Sequence, residues 1–211
     1  MRTPVVLAGL LAGLLGGCAA PRSPTLDYLP PSGPPAAARS AVVRQQPWLV
    51  WGSILDHLQQ QGLSISEVDE PAGELVVRYR GDPEPYVDCG WIVAYQEGRA
   101  VERTPAATDT ATFRRRWDGK LVTVERDLEL DARMVILVEP DGPVGVVRTE
   151  SIYGLTKSVA PQTAAQPLHT ETISFRSGGS ASFSSGTTCQ PTGALERVVL
   201  DALPAMSFAG S

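Results

Sequence analysis

Alternation of apolar and polar residues is clearest between Val122 and Val138. The even positions of this stretch are apolar and are broken only by Arg126, whereas most odd positions are polar or charged. A period of two places the apolar side chains on one face of a β-strand. Seventeen residues exceed the usual length of a strand, so we expect a bend or a break near Leu130 to Arg133.

Shorter alternations before this stretch predict further antiparallel strands. Residues 63–68 and 75–79 predict a hairpin around a turn at 70–73, and the apolar run 86–95 predicts one strand. Residues 96–110 are polar without clear periodicity and predict a long loop. After the long strand, proline and glycine at 139–143 predict a turn. Strands are then expected in these ranges: 144–155, 170–176 and 181–183.

Two stretches show the helical period instead. In residues 47–62 the apolar side chains at helical spacing are Trp48, Trp51, Ile54, Leu55 and Leu58. A second amphipathic stretch covers residues 191–203, with Thr192 as a plausible cap and Pro204 after the end. No strand–helix–strand alternation is visible. The predicted fold class is therefore α+β, an antiparallel β-sheet packed on one face by an N-terminal and a C-terminal helix.

Composition supports one folded body and disfavours nucleic acid as a partner. The chain has 211 residues, 43% apolar and 19% charged, with a net charge of −5. This suits a globular domain with a core of its own. Binding to nucleic acid needs clustered lysine and arginine, which this mildly acidic chain does not provide.

The N-terminus has the pattern of an export signal. Arg2 precedes an uncharged apolar run from Val5 to Leu15, which is too short to span a bilayer of about 30 Å. Six prolines follow between residues 19 and 39 and predict a semi-rigid extended tether that forms neither ladder nor helix. We therefore divide the chain into residues 1–17 (signal peptide), 18–39 (linker) and 40–211 (periplasmic domain).

Leu15-Gly16-Gly17-Cys18 resembles the lipobox of bacterial lipoproteins. The resemblance implies that Cys18 receives a diacylglyceryl group and becomes the first residue after cleavage, so that the membrane is a partner through this anchor. Ala19 rather than aspartate follows, which in such lipoproteins favours the outer membrane; anchoring in the inner membrane is the alternative. An ordinary secretory signal with a coincidental cysteine is the other interpretation.

With Cys18 lipidated, Cys89 and Cys189 remain. In an oxidising periplasm two leftover cysteines most often pair, and we expect a disulfide; two free buried thiols are the alternative. Neither belongs to a C-x-x-C pair, which disfavours a redox or zinc motif.

Side-chain patterns for catalysis or metal binding are absent from the sequence. The acidic residues at 125, 127, 129 and 131 lie at strand spacing and predict a solvated sheet face rather than a cation site. The tract 177–182 matches no phosphate loop or nucleophile elbow, and the two histidines, His57 and His169, lie far apart. We expect no enzyme activity, no metal and no cofactor.

One basic run is a candidate interaction surface: Arg114, Arg115, Arg116 and Trp117. Contact with lipid headgroups or an acidic partner is one interpretation. A charged strand end is the other.

The order of a proline linker, a tryptophan helix, a glycine turn and two short strands resembles a known family. It is similar to the folded domains of the C lipoprotein of the outer-membrane β-barrel assembly machine. The residues that carry the resemblance are Trp51, Leu55, Leu58, Gly62, Leu63, Ile65, Asp69, Gly73, Leu75, Val77 and Tyr79. The resemblance implies an accessory α+β module that binds proteins without catalysis.

The sequence thus predicts a lipid-anchored, periplasm-facing binding or assembly-accessory protein with an envelope protein as partner. A small apolar-ligand carrier is the main alternative; it requires an enclosed apolar pocket between sheet and helix, and a cavity of several hundred Å³ would favour it. An envelope hydrolase is a further alternative, and it requires a histidine near a carboxylate and a serine. The sequence makes no prediction of oligomeric state.

Overall fold

The structure is a computed structural model that describes residues 25–117, 120–142, 144–162 and 169–203, with only the backbone at 115–117 and 121. The signal segment and Cys18 lie outside the described residues. The described chain is mostly antiparallel β-sheet with two helices. The strands are β1 (Thr25–Leu29), β2 (Arg39–Val43), β3 (Ser64–Asp69), β4 (Glu74–Gly81), β5 (Val87–Asp88), β6 (Trp91–Gln96), β7 (Arg99–Pro105), β8 (Thr110–Trp117), β9 (Lys120–Asp141), β10 (Val144–Pro161), β11 (His169–Arg176), β12 (Ala181–Ser182) and β13 (Thr188–Pro191). The helices are α1 (Pro47–Gln60) and α2 (Ala194–Asp201).

The long β9–β10 hairpin forms the centre of a seven-stranded sheet. Its strands pair from Asp141 and Val144 at the turn to Val124 and Pro161 at the far end. β4 and β8 share the outer edge of β9, and β2 and β11 share the outer edge of β10, while β3 continues the sheet beyond β4. Two three-stranded sheets, β1-β6-β7 and β12-β13-β5, complete the fold.

The sequence predicts a bend or a break near Leu130 to Arg133, and β9 runs for 22 residues without interruption, so there is no break there. Its backbone groups are paired along this length, because β10 lies on one side and β8 followed by β4 on the other. Because neighbouring strands on both sides supply partners for the backbone N–H and C=O groups, a long strand can continue without leaving these groups unpaired.

The predicted alternation of β9 does form the core. Leu130, Ala132, Met134 and Ile136 are fully buried. On β10 the buried positions are odd, and Val147, Tyr153 and Leu155 join the same cluster. Helix residues belong to it as well, namely Val50, Ile54 and Leu58 of α1 and Leu195 and Val199 of α2.

The apolar stripe of α1 differs from the predicted one at its start. Trp48 is 65% exposed, and its indole N–H donates a hydrogen bond to Oε1 of Gln46 at 2.6 Å. Val50 is buried in its place. The first helical turn therefore presents a large aromatic side chain to solvent.

Residues 96–110 form structure where the sequence predicted a loop. β6 and β7 make a hairpin whose turn is Glu97-Gly98, with φ of 53° and 78°. Positive φ at both central residues is the geometry that matches strand twist in two-residue hairpins. β7 is exposed along most of its length, so no alternation of apolar residues marked it. The run 86–95 is likewise divided, by Cys89-Gly90, into β5 and β6.

The expectation that the proline-rich segment forms no ladder is wrong for residues 25–29. These five residues contain no proline and pair with β6 as β1. The Tyr28 hydroxyl accepts a hydrogen bond from the amide N–H of Thr188 at 2.9 Å and lies 3.1 Å from the carbonyl oxygen of the same residue, to which it donates. Further along, the amide of Ala36 donates to the carbonyl of Pro191. The described part of this segment is therefore bound to the body.

Cys89 and Cys189 form the disulfide that the sequence analysis predicts, across a separation of 100 residues. The neighbouring residues Asp88 and Gln190 pair in the small β5–β13 ladder. α2 begins just after this ladder at Ala194, and Gly193, with φ of 73°, is its N-cap residue. The Thr192 hydroxyl accepts a hydrogen bond from the amide of Ala194 at 3.2 Å. The disulfide therefore fixes the strand that leads into the last helix.

Candidate functional site

We call the face of the central sheet that carries the buried core residues its inner face. This face continues beyond the core into a half-open groove. One row of cross-strand neighbours marks this region, running from Ala111 through Arg126 and Val159 to His169. These residues lie on the same face as the buried even positions of β9, because cross-strand partners share a face. The groove is thus built by the same alternation of inward and outward side chains as the core, at the end of the β9–β10 hairpin that is distant from its turn.

The groove has a volume of about 610 Å³. This lies within the range of small-molecule sites, about 300–1,000 Å³. Its walls are largely apolar, and the apolar side chains that line it include Ile92, Phe113, Leu128, Val159 and Phe183. The segment 183–187, between β12 and β13, supplies Ser184, Ser185 and Thr187 at the rim. An apolar body with a few polar groups is the usual composition of a ligand pocket.

Arg126 places a guanidinium in the groove lining. Its two terminal nitrogens donate to the backbone carbonyls of Ala106 and Thr108, both at 2.7 Å, and its Nε is buried without a hydrogen-bond partner. Burial lowers the pKa of this group, against the raising effect of Asp127 and Asp109. Within the described ranges no carboxylate forms a salt bridge with it. The guanidinium charge is therefore stabilised by hydrogen bonds to neutral backbone carbonyl groups rather than by a carboxylate.

Lys157 is the second cation of the groove and is only 8% exposed. Its ammonium lies 3.2 Å from Oε2 of Glu171, donates to the Ser185 hydroxyl at 3.1 Å and lies 4.1 Å from the ring centre of Phe183. Unlike Arg126, this cation has a carboxylate partner.

Glu171 fastens the 183–187 segment to the sheet. It accepts the amide N–H of Ser184 at 2.6 Å and the Ser184 hydroxyl at 2.8 Å. The backbone hydrogen bond from Ser184, followed by the Ser184 hydroxyl and Lys157, lowers the pKa of Glu171 to about 2. The rim of the groove is thus held to the sheet by an ionised carboxylate.

The side-chain types that acyl transfer uses, namely serine, histidine, carboxylate and lysine, lie close together at the groove. Their hydrogen bonds do not connect them in the sequence that acyl transfer requires. His169 Nε2 lies 3.7 Å from Oε2 of Glu171, but the Ser184 hydroxyl donates to Glu171 directly rather than to the histidine. Lys157 contacts Ser185, yet a lysine base must be a neutral amine, and this one forms an ion pair. These side chains therefore do not form a serine–histidine–carboxylate relay.

No group of three or more metal-ligating side chains is found among the residues whose placement is described. In the acidic run, Asp131 instead accepts from Arg80 at 2.7 Å, and Glu129 lies 3.8 Å from the same guanidinium. These carboxylates are partly exposed, as expected for the solvated face.

Arg114, the member of the predicted basic run whose side chain is described, does not line the groove. Arg114 is exposed on β8, next to Phe113, which lines the groove. Because successive residues of a strand point to opposite faces, Arg114 faces away from it. The side chains of Arg115, Arg116 and Trp117 lie outside the described residues, so their role stays a prediction.

Sequence reasoning missed both cations of the groove. The available signal was Arg126 itself, the one charged residue among the apolar even positions of β9. Lys157 has no such signal, because the strand predicted from the sequence ends at about residue 155.

No protein-family model matches the sequence, and a search of curated proteins gives no match. Among the described residues, neither helix has the length and apolar character needed to cross a membrane.

Proposed function

We propose that the protein is a non-catalytic binding protein of the bacterial cell envelope that holds a small apolar molecule in the groove. The observation that carries this proposal is the apolar cavity of about 610 Å³ on the inner face of the sheet. Its size lies in the range expected of a ligand carrier. Its place differs from the expected one, because the groove is half-open and lined by strands and the 183–187 segment rather than enclosed between sheet and helix. Its serine, histidine and carboxylate groups do not form the relay that a hydrolase needs.

The positions of the two helices relate to the position of the groove. We infer that α1 and α2 cover the same face of the sheet near the hairpin turn and leave its far end open. Contacts of α1 with β9, β10 and α2, and of α2 with β10, support this inference. The uncovered end is where Arg126 and Lys157 lie, so the groove starts where helix cover ends.

The position of the protein beside a bilayer rests on the lipobox-like sequence at Cys18. An acylated cysteine would hold the body at the periplasmic face of the outer membrane, since each buried CH₂ contributes about 0.8 kcal/mol. A lipid-derived apolar ligand would then be available close to the groove.

The anchor is tested with Cys18→Ala in the full chain. We expect labelled palmitate to enter the wild-type chain only, and the variant to leave the membrane pellet after cell fractionation. Incorporation of palmitate into Cys18→Ala, or its unchanged sedimentation with membranes, would contradict the anchor.

Ligand binding is tested by native mass spectrometry of the full chain purified from membranes. A noncovalent adduct is expected on the wild type and on Val42→Trp, an exposed site on β2, but not on Val159→Trp, which fills the groove. Equal adducts on the two tryptophan variants would place the ligand elsewhere, and no adduct on the wild type would argue against a carrier.

A second candidate function is an assembly-accessory role with an envelope protein as partner. The first turn of α1 favours it, since Trp48 and Leu49 are 65% and 45% exposed. Crosslinking in cells through a photoreactive residue at position 49 would recover this partner. The groove variant Val159→Trp should leave such a crosslink intact, which separates the two functions.

A further inference from the structure

The groove carries a charge that its own walls do not neutralise. Lys157 has Glu171 as an ion-pair partner at 3.2 Å. Among the described residues Arg126 instead donates to the carbonyl oxygens of Ala106 and Thr108, and the charges of Asp127 and Asp109 act on it without a salt bridge. A charge removed from water is costly unless it is paired. Asp127, the next residue of β9, is exposed and points to the opposite face, so it does not enter the groove.

The unpaired cation lies within an apolar wall. Val159 is the cross-strand neighbour of Arg126 on β10, and Phe113 and Leu128 line the same groove. Arg126 also retains a buried Nε without a partner. The site thus combines apolar surface with one fixed positive group at a defined position.

From this combination, and building on the proposed binding function, we propose that the ligand is an anionic acyl lipid. Its hydrocarbon chain lies against Phe113, Leu128 and Phe183, and its carboxylate or phosphate group pairs with Arg126. Each terminal nitrogen of Arg126 keeps one N–H beyond the one that it donates to Ala106 or Thr108, and a charged guanidinium N–H is a strong donor to either group. Lys157 stands on the neighbouring row of the sheet and adds a positive potential that Glu171 partly offsets.

Arg126 also has a structural role, because it holds the segment 106–108 through its two hydrogen bonds. The test must therefore change the charge of the groove without removing this arginine. Val159→Glu places a carboxylate across the strand pair from Arg126 and supplies the missing partner from within the chain. Val159→Gln is the matched control, with nearly the same size and polarity but no charge.

The probes are two photoactivatable molecules with the same twelve-carbon chain, laurate and dodecanol. The full chain is reconstituted in nanodiscs of zwitterionic phosphatidylcholine at pH 8, and labelled peptides are quantified by mass spectrometry over a range of probe concentrations. Partitioning into the bilayer is the same for every variant, so the ratio of laurate to dodecanol labelling is compared between variants. Disulfide mapping of Cys89 and Cys189 verifies that each variant is folded.

We expect both probes to label the peptides that contain Phe113 and Phe183 in the wild type and in Val159→Gln. The laurate-to-dodecanol ratio should fall about tenfold in Val159→Glu, which corresponds to about 1.4 kcal/mol. Arg126→Met should lower the ratio similarly, whereas Arg80→Met, a change at an exposed arginine paired with Asp131, should not.

The outcomes separate this inference from the function on which it rests. An unchanged ratio in Val159→Glu, with the groove still labelled by both probes, would overturn the anionic ligand and leave the apolar binding function intact. Labelling of the groove by neither probe in the wild type would overturn both. A purely structural arginine predicts a loss of labelling by both probes in Arg126→Met and an unchanged ratio in Val159→Glu.

Discussion

The hydroxyl of Tyr153 donates a hydrogen bond of 2.9 Å to Oε1 of Glu196, which joins the central strand β10 to helix α2 inside the core. Both side chains are fully buried. Ser177 donates to the same oxygen at 2.8 Å and accepts the amide N–H of Ser151 at 2.9 Å. A carboxylate beneath the last helix is thus the meeting point of a strand, a turn and a helix.

Removing the Tyr153 hydroxyl should destabilise the protein. In Tyr153→Phe the Glu196 oxygen loses one of its two donors, and the expected loss is about 1–2 kcal/mol of unfolding free energy. Glu196→Ala should cost more, since it leaves the Tyr153 and Ser177 hydroxyls unpaired and opens a cavity. Urea unfolding midpoints measure both changes. A midpoint of Tyr153→Phe equal to that of the wild type would show that this hydrogen bond contributes nothing.

The same network predicts how stability responds to alkali. Burial, followed by the charge of Glu196, raises the pKa of Tyr153 far above its usual value of about 10. A raised pKa in the folded state means that this contribution is complete below about pH 10 and is lost as the pH rises, because the unfolded state then releases a proton that the folded state keeps. The wild type should therefore lose stability above about pH 10 more steeply than Tyr153→Phe. Parallel pH profiles for the two proteins would contradict this.

Glu171 predicts a loss of stability at low pH, whereas Tyr153 predicts a loss at high pH. Its pKa is lowered to about 2, first by the amide of Ser184, so its contribution is present above the unfolded-state value of about 4.3 and is lost as the pH falls from there towards 2. Glu171→Gln should be less stable than the wild type at pH 7, and the difference should disappear between about pH 4 and 2.

Glu150→Gln is the matched control for this experiment. Glu150 forms an exposed pair with Arg176 at 3.8 Å, and exposed pairs contribute little. Urea midpoints at several pH values compare the three proteins. A constant difference between wild type and Glu171→Gln down to pH 2 would show that the ionised form of Glu171 does not matter.

The sequence could predict the sheet face but not what covers it. The alternation of β9 follows from the pleat alone, so Leu130 and Ile136 were assignable to the core from their spacing. Arg126 breaks the alternation, but its place in the structure depends on the carbonyl groups of Ala106 and Thr108, about 20 residues away in the sequence. Such long-range placement leaves no periodic signal.

Exposed strands were missed for a related reason. β1 and β7 are mostly exposed, so their side chains carry no pattern of burial, and their backbone pairing with β6 defines them. The cysteine pair was predictable, because the argument needed only the number of cysteines and the compartment.

The disulfide should contribute strongly to stability. A link between residues 100 apart restricts the unfolded chain by up to about 4.7 kcal/mol in the loop-entropy account, and native disulfides typically contribute about 2–5 kcal/mol. The double variant Cys89→Ser with Cys189→Ser should lose an amount in this range. The urea midpoint of the double variant, compared with that of the oxidised wild type, measures it, and the reduced wild type is the control. Equal stability of the oxidised wild type and the double variant would refute the prediction.

Two glycines predict stability changes of opposite sign on substitution by alanine. Gly52 lies inside α1 with open space around the position of an added Cβ, so Gly52→Ala should stabilise the protein by about 0.5–1 kcal/mol through helix propensity. Gly73 has φ of 68° in the β3–β4 turn, and an added Cβ there would collide with the carbonyl oxygen of Val138. Because that atom belongs to the backbone of β9, Gly73→Ala should destabilise by more than about 1 kcal/mol. Thermal unfolding of both variants beside the wild type measures the two effects, and a Gly73→Ala protein as stable as the wild type would show that the turn can relax without disturbing the central strand.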